Sequence, residues 1–230
     1  MNIWWRLPHW MDIEKTDWII LNKLYFCIRK YKVKRRMSLG ITSNKEKVEA
    51  LLAYLCVRIP DMQLRKLLKI LYLIDEESVR LRAIPVTWLE YHAWEKGPVA
   101  YEVYDVKNGA FADCLRCEKK EDNKWHVNAL VKHAYLLDDN LKKFSQWEMA
   151  LIDRIIERCK TLSADQLTDE THIPNSLWSQ TVKENGIDFS KDPKSNFVVD
   201  LNRLNDESGA ATYEDAMECM QMQAFLNECN

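Results

Sequence analysis

Glycine and proline are scarce in this sequence, five and six residues respectively out of 230. So few breakers leave long helices as the default and argue against a turn-rich sandwich or barrel. Also missing is any run of about twenty apolar residues, the length that a membrane-spanning helix needs. The longest candidate, from Trp18 to Ile28, is broken by Asn22 and Lys23. Several catalytic signatures are absent too: there is no glycine-rich phosphate loop, no Gly-x-Ser-x-Gly and no His-Glu-x-x-His. No secretory signal pattern is present, and the seven cysteines (27, 56, 114, 117, 159, 219 and 229) are odd in number and irregular in spacing. Reduced thiols in a cytoplasmic protein are expected, without disulfides.

The formal net charge of -2 conceals a gradient. Residues 1–36 carry nine Lys or Arg against three Asp or Glu, whereas residues 144–230 carry seven against sixteen. The acidic end repels phosphate backbones, so no nucleic-acid partner is expected, and it favours a basic protein surface. A solvated face that keeps the protein soluble has the same composition.

Residues 1–42 read as a basic N-terminal extension outside the fold. Trp4, Trp5, Trp10 and Trp18 lead into the apolar run, and a cluster of Arg29, Lys30, Lys32, Lys34, Arg35 and Arg36 follows. The apolar positions wrap most of a helix instead of making one stripe, so membrane contact is not favoured. Met37 offers a second start just ahead of the first regular helix signals.

From there the pattern predicts a mainly α, single helical domain. Ser43 and Glu46 frame a capping box, followed by Val48, Leu51, Leu52, Leu55 and Ile59 at helical spacing and stopped by Pro60. Asp61 is placed to cap a second helix with the stripe Leu64, Leu67, Leu68, Leu71 and Ile74, running to about Arg82. Thr87 and Glu90 frame another box, predicting a helix that carries Tyr91 and Trp94 and ends at Gly97-Pro98. Residues 112–131 alternate with period two around a polar turn, the signature of one small β-hairpin. Boxes at Ser145/Glu148 and Ser163/Gln166 open two later helices; in the first, Met149, Ile152, Ile155, Ile156 and Cys159 face inward. A polar loop over residues 186–211 precedes a last helix opened by Thr212 and Asp215. The predicted organisation is an extension (1–42), a helical domain (43–185), and an acidic loop with a C-terminal helix packing on it (186–230).

Two candidate sites compete with simple packing. Cys114 and Cys117 form a Cys-x2-Cys pair, but His126 and His133 lie at the wrong distances for a zinc finger, and two half-buried thiols are the better reading. A thiol- or metal-dependent enzyme would draw on Cys114, Cys117 and His172. His172 reads more simply as a structural anchor, capping carbonyls or bonding a buried carboxylate such as Asp75. Tyr72, Tyr91, Trp94 and Tyr104 read as core-edge aromatics whose polar tips find hydrogen bonds. Asp75 lies six positions after Lys69, off its helical face, so the two do not pair.

Three blocks point to a family. They are Lys69-Ile-Leu-Tyr72-Leu-Ile-Asp75, then Tyr91-His-Ala-Trp94-Glu-Lys-Gly97-Pro98-Val99 with Tyr104 just beyond, then Thr171-His172-Ile-Pro174-Asn-Ser-Leu-Trp178. In that order and spacing they resemble the Panacea domain, the antitoxin domain of SocA-like and phage-associated proteins. The resemblance implies a protein that neutralises a toxin by binding it, the partner being encoded by the adjacent gene. It brings no catalytic residues, cofactor or metal. A proteolytic adaptor that delivers the toxin to a protease is a second binding role. It makes Lys69, Tyr72, Asp75, Tyr91, Trp94, Gly97, Pro98, Val99, Tyr104, His172 and Trp178 the residues of interest, structural or partner-binding. Ala83 departs from the family pattern, which has Gly before the Pro-containing turn, so the backbone there is expected to avoid positive φ.

Overall fold

The computed structural model describes residues 43–130 and 141–228, with side chains as far as residue 222. The N-terminal extension, the Met37 start and His133 lie outside the described residues. Within them the fold is mainly α with small β elements.

Helix α1 (Lys45–Arg58) is capped by Asn44, whose side chain accepts from the N–H of Lys47. Ser43, the expected cap, instead donates its hydroxyl to Glu102. Val48, Leu51, Leu52 and Leu55 are buried as the spacing requires. After Pro60 the chain does not enter the next helix directly. Asp61 adopts a left-handed φ of 55° and its carboxylate faces Lys120 and His126, so it caps nothing. A two-residue strand, β1 (Met62–Gln63), intervenes before α2 (Leu64–Arg82).

Helix α2 is the centre of the molecule. Every residue from 67 to 75 is buried, a helix enclosed on all sides rather than one apolar stripe on a solvated helix. It ends at Ala83, which takes φ 66° and returns its N–H to the carbonyl of Val79. The expectation that alanine would avoid this conformation is overturned: the left-handed C-cap is kept without the glycine that makes it easy. Asn205 donates to the Ala83 carbonyl at 3.1 Å, which helps to hold the turn.

The predicted helix over residues 87–96 is a β-hairpin. Strands β2 (Tyr91–Trp94) and β3 (Gly97–Ala100) pair antiparallel, with Trp94 opposite Gly97. All eight residues are buried, a pattern that suits a sheet covered on both faces. Thr87 cannot serve as a helix cap because its hydroxyl is engaged with Asp75 and with the N–H of Leu89. Of the turn residues, Glu95 and Lys96 keep negative φ and Gly97 takes φ 95°, the arrangement of a two-residue turn closed by a glycine bulge. A distant segment extends this sheet. The N–H groups of Ala93 and Glu95 donate to the carbonyls of Phe197 and Pro193, and the N–H of Val199 donates to Tyr91. The presumed loop of residues 186–211 therefore runs along the β2 edge.

A short helix, α3 (Tyr101–Tyr104), continues into a 3-10 turn, Asp105–Asn108. The predicted hairpin follows as β4 (Leu115–Lys119) and β5 (Trp125–Ala129), and β1 adds to β5 to give the antiparallel order β1-β5-β4. Helices α4 (Gln146–Cys159) and α5 (Ala164–Thr171) carry both predicted capping boxes, with Ser145/Glu148 and Ser163/Gln166 bonded reciprocally. In α4 the buried row includes Leu151, while Met149 is half-buried. Helix α6 (Leu177–Glu184) follows, then a 3-10 turn, Leu201–Leu204, and α7 (Glu207–Glu228). The last helix begins before the box at Thr212, because Asp206 already accepts from the N–H of Gly209 and of Ala210.

Candidate functional site

Helix α2 carries two ionisable side chains, Lys69 and Asp75, into the core, both fully buried. A buried charge without partners costs several kcal/mol, so what they bond to matters. Asp75 accepts from the backbone N–H groups of Val86 and Thr87, each at 2.8 Å, from the Tyr91 hydroxyl at 2.7 Å, and from the Thr87 hydroxyl. Burial raises its carboxyl above the usual range, against the pull of the hydrogen bonds from Thr87, Tyr91 and Val86. These donors leave no role for His172, the partner suggested by the sequence.

One and a half turns earlier, Lys69 Nζ donates to the Pro98 carbonyl at 2.9 Å. Burial, helped by Arg65, pushes its ammonium down to about 7. Gly97 sits over it: a Cβ there would meet Lys69 Nζ and Thr171 Oγ1, each at 2.7 Å, with φ already at 95°. Crowding and backbone conformation both require glycine at this point.

The third block closes the site from α5 and α6. His172 follows α5 and stacks on Trp178, ring centroids 3.7 Å apart at 18°. The Trp178 indole N–H donates to the Trp94 carbonyl at 2.9 Å, tying α6 to the end of β2. His172 Nε2 is buried without a hydrogen-bond partner, and burial, then the charge on Lys69, lowers its pKa. Trp94 packs edge-on against Tyr104 (4.7 Å) and Tyr101 (5.2 Å) and donates to the Tyr101 hydroxyl. Tyr72 meets Tyr91 edge-on at 5.3 Å, but its hydroxyl lacks a well-formed hydrogen bond, contrary to the expectation for these aromatics. Val99, buried in β3, pairs with His92.

All eleven residues singled out in the sequence thus gather around the β2–β3 hairpin and the face of α2 beneath it. Thr87 and Thr171 were not among them, although Thr87 supplies two of the Asp75 hydrogen bonds. Beside the hairpin turn lies a pocket of about 380 Å³ whose wall includes Arg65, Lys96, Lys124 and Trp125, none of which the sequence flagged.

The thiols of Cys56, Cys114 and Cys117 are held in their neutral form by burial. Burial pushes Cys56 up to about 12 and Cys114 up to about 11, and raises Cys117 as well. Such thiols are protonated at neutral pH and are weak nucleophiles. Among the described residues no group of three or more His, Cys, Asp or Glu is placed to hold a metal ion.

Comparison with known proteins gives one family. The model described as "Antitoxin SocA-like, Panacea domain" matches residues 67–179, a span that contains all three blocks. No curated protein and no solved structure matches the chain.

Proposed function

Because the chain carries a domain of the SocA-like antitoxin, Panacea family, we propose that it neutralises a cognate toxin by holding it in a protein–protein complex. The family match over residues 67–179 is the observation that carries this reading. The geometry supports binding over catalysis: Lys69, Asp75, Gly97 and Trp178 are occupied in fastening the hairpin to α2 and α6, and burial raises the thiols of Cys56, Cys114 and Cys117. On this reading the domain spans about residues 43–185, and an acidic loop and C-terminal helix follow it, residues 193–199 of the loop lining the β2 edge. The partner is the product of the adjacent gene, met in the cytoplasm, and no nucleic acid takes part. No helix among the described residues is long and apolar enough to cross a membrane.

The test is co-expression with the adjacent open reading frame. Growth should be lost when that frame is expressed alone, restored by this chain, and the two proteins should co-purify. Absence of toxicity, or rescue without a complex, sinks the reading. A proteolytic adaptor would show the same complex but with toxin disappearing after protein synthesis is stopped, so following toxin levels separates the two roles.

A further inference from the structure

The pocket beside the hairpin turn has an unusual wall. Three separate elements bring cations to it: Arg65 from the first turn of α2, Lys96 from the β2–β3 turn, and Lys124 from the turn before β5. Lys69 lies in its floor, and no Asp or Glu lines it. The apolar surface is supplied by Trp94, Trp125, Tyr104, Leu64 and Leu68. Further positive charge stands against the same rings, with Lys194 Nζ 4.9 Å from the centre of Trp94 and Lys107 Nζ 4.0 Å from that of Tyr104. Helix α2 also starts here with no side-chain cap and no acid in its first turn. All three cations have carboxylates nearby: Asp165 lies 2.5 Å from the half-buried Arg65, Glu95 3.7 Å from Lys96, and Asp122 close enough to feel the charge of Lys124; these carboxylates are solvent-exposed and hold their partners weakly.

This concentration of cations occurs in a chain of net charge -2 whose residues 144–230 are strongly acidic, so the pocket is a local reversal of the surface field. We propose that it is the docking point for an acidic segment of the bound partner, one that sets Asp or Glu beside an aromatic or aliphatic side chain; this rests on the binding function proposed above. The carboxylates meet Lys96, Lys124 and Arg65, and the apolar neighbour lies against Trp94 and Trp125, as aromatic anchors do at the centre of interfaces. A nucleotide fits less well. No glycine lines the pocket, so it lacks the glycine-rich loop that cradles phosphates in nucleotide sites.

The experiment selects a random peptide library on the immobilised full-length chain and, in parallel, on the Lys96→Glu/Lys124→Glu variant. Both lysines are exposed, so the variant should keep the thermal midpoint of the parent. The expected outcome is enrichment of peptides with Asp or Glu next to an aromatic or aliphatic residue on the parent alone. By calorimetry the best peptide should then lose about tenfold or more in Kd on charge reversal, and equally when its acids are replaced by amides. Enrichment of peptides without acids, equal enrichment on both proteins, or no enrichment overturns the proposal. Displacement of the peptide by ATP, with ATP itself tightly bound, overturns it in favour of a nucleotide site. The toxin assay separates this idea from the function on which it rests. If the variant neutralises the toxin as well as the parent, the pocket is not the docking point while the antitoxin reading stands. If the parent neutralises nothing yet binds acidic peptides through these lysines, the antitoxin reading fails and the pocket retains its acidic ligand.

Discussion

Lys69 and Asp75, six positions apart on one helix, hold the same hairpin at two different points without touching each other. Lys69 donates to the Pro98 carbonyl next to the turn, and Asp75 accepts from Tyr91 and from the chain leading into β2. Both fall in the first of the three sequence blocks, off each other's helical face. Physically they are two separate attachments between the central helix and the β2–β3 hairpin, and each can be tested alone.

Replacing Asp75 by Ala leaves four buried donors, the N–H groups of Val86 and Thr87 and the hydroxyls of Thr87 and Tyr91, without their acceptor. A loss of about 3–5 kcal/mol is expected in urea unfolding, as for removal of one member of a buried charged network. A loss below about 1 kcal/mol would mean that water replaces the carboxylate.

The pH dependence of stability should carry the mark of Lys69. Its ammonium is held near about 7 in the folded protein against 10.5 for the free side chain. Between those values the unfolded chain binds a proton that the folded one does not, so stability rises with pH through this window. The contribution should amount to roughly 2 kcal/mol between pH 7 and 9. Lys69→Met should remove that rise. Parallel pH profiles for parent and variant would rule the assignment out.

Two backbone positions make opposite demands. Gly97→Ala should destabilise by about 2 kcal/mol or more, since the new Cβ meets Lys69 Nζ and Thr171 Oγ1 at 2.7 Å in a left-handed conformation. Ala83→Gly should stabilise by up to about 1 kcal/mol, because φ 66° is strained for alanine and free for glycine. Thermal unfolding of both variants measures the contrast, and the same sign for the two would contradict it.

Trp94→Ala removes a buried indole that packs on Tyr101 and Tyr104, and about 3 kcal/mol or more should be lost. A variant that folds with unchanged stability but no longer holds the toxin would instead make Trp94 a partner anchor.

Ending the chain near Ile187 should be far from neutral. It strips Phe197, Pro193 and Val199 from the β2 edge and leaves their hydrogen-bonding partners bare. Loss of solubility is the expected readout, since an unprotected strand edge invites association. A soluble monomer of parental stability would show that the edge needs no cover.

The helices were legible where local chemistry fixes them: the reciprocal boxes at Ser145 and Ser163, the inward row of α1, and the stripe of Leu64, Leu67, Leu68, Leu71 and Ile74 in α2 follow from spacing alone, although the burial of α2 on its other faces does not. The β2–β3 hairpin was not. Thr87 and Glu90 imitate a helix start, and the real competitor for the Thr87 hydroxyl is Asp75, twelve residues back, which no local rule weighs. Ala83 was misread for a similar reason, as its left-handed turn is held by packing and by Asn205 from far along the chain. The site residues were found by resemblance, whereas the basic pocket depends on three turns meeting in space, and single lysines in turns carry no signal of that.

The β2 edge has a further consequence in the order of synthesis. Tyr91, Ala93 and Glu95 leave the ribosome about a hundred residues before Pro193, Phe197 and Val199, the groups that pair with them. While the chain is being made, β2–β3 is therefore a two-stranded ribbon with an open side, a state prone to association. Completion of the sheet waits for residues 193–199, and a message cut short before them yields an unfinished sheet, not a shorter version of the same protein.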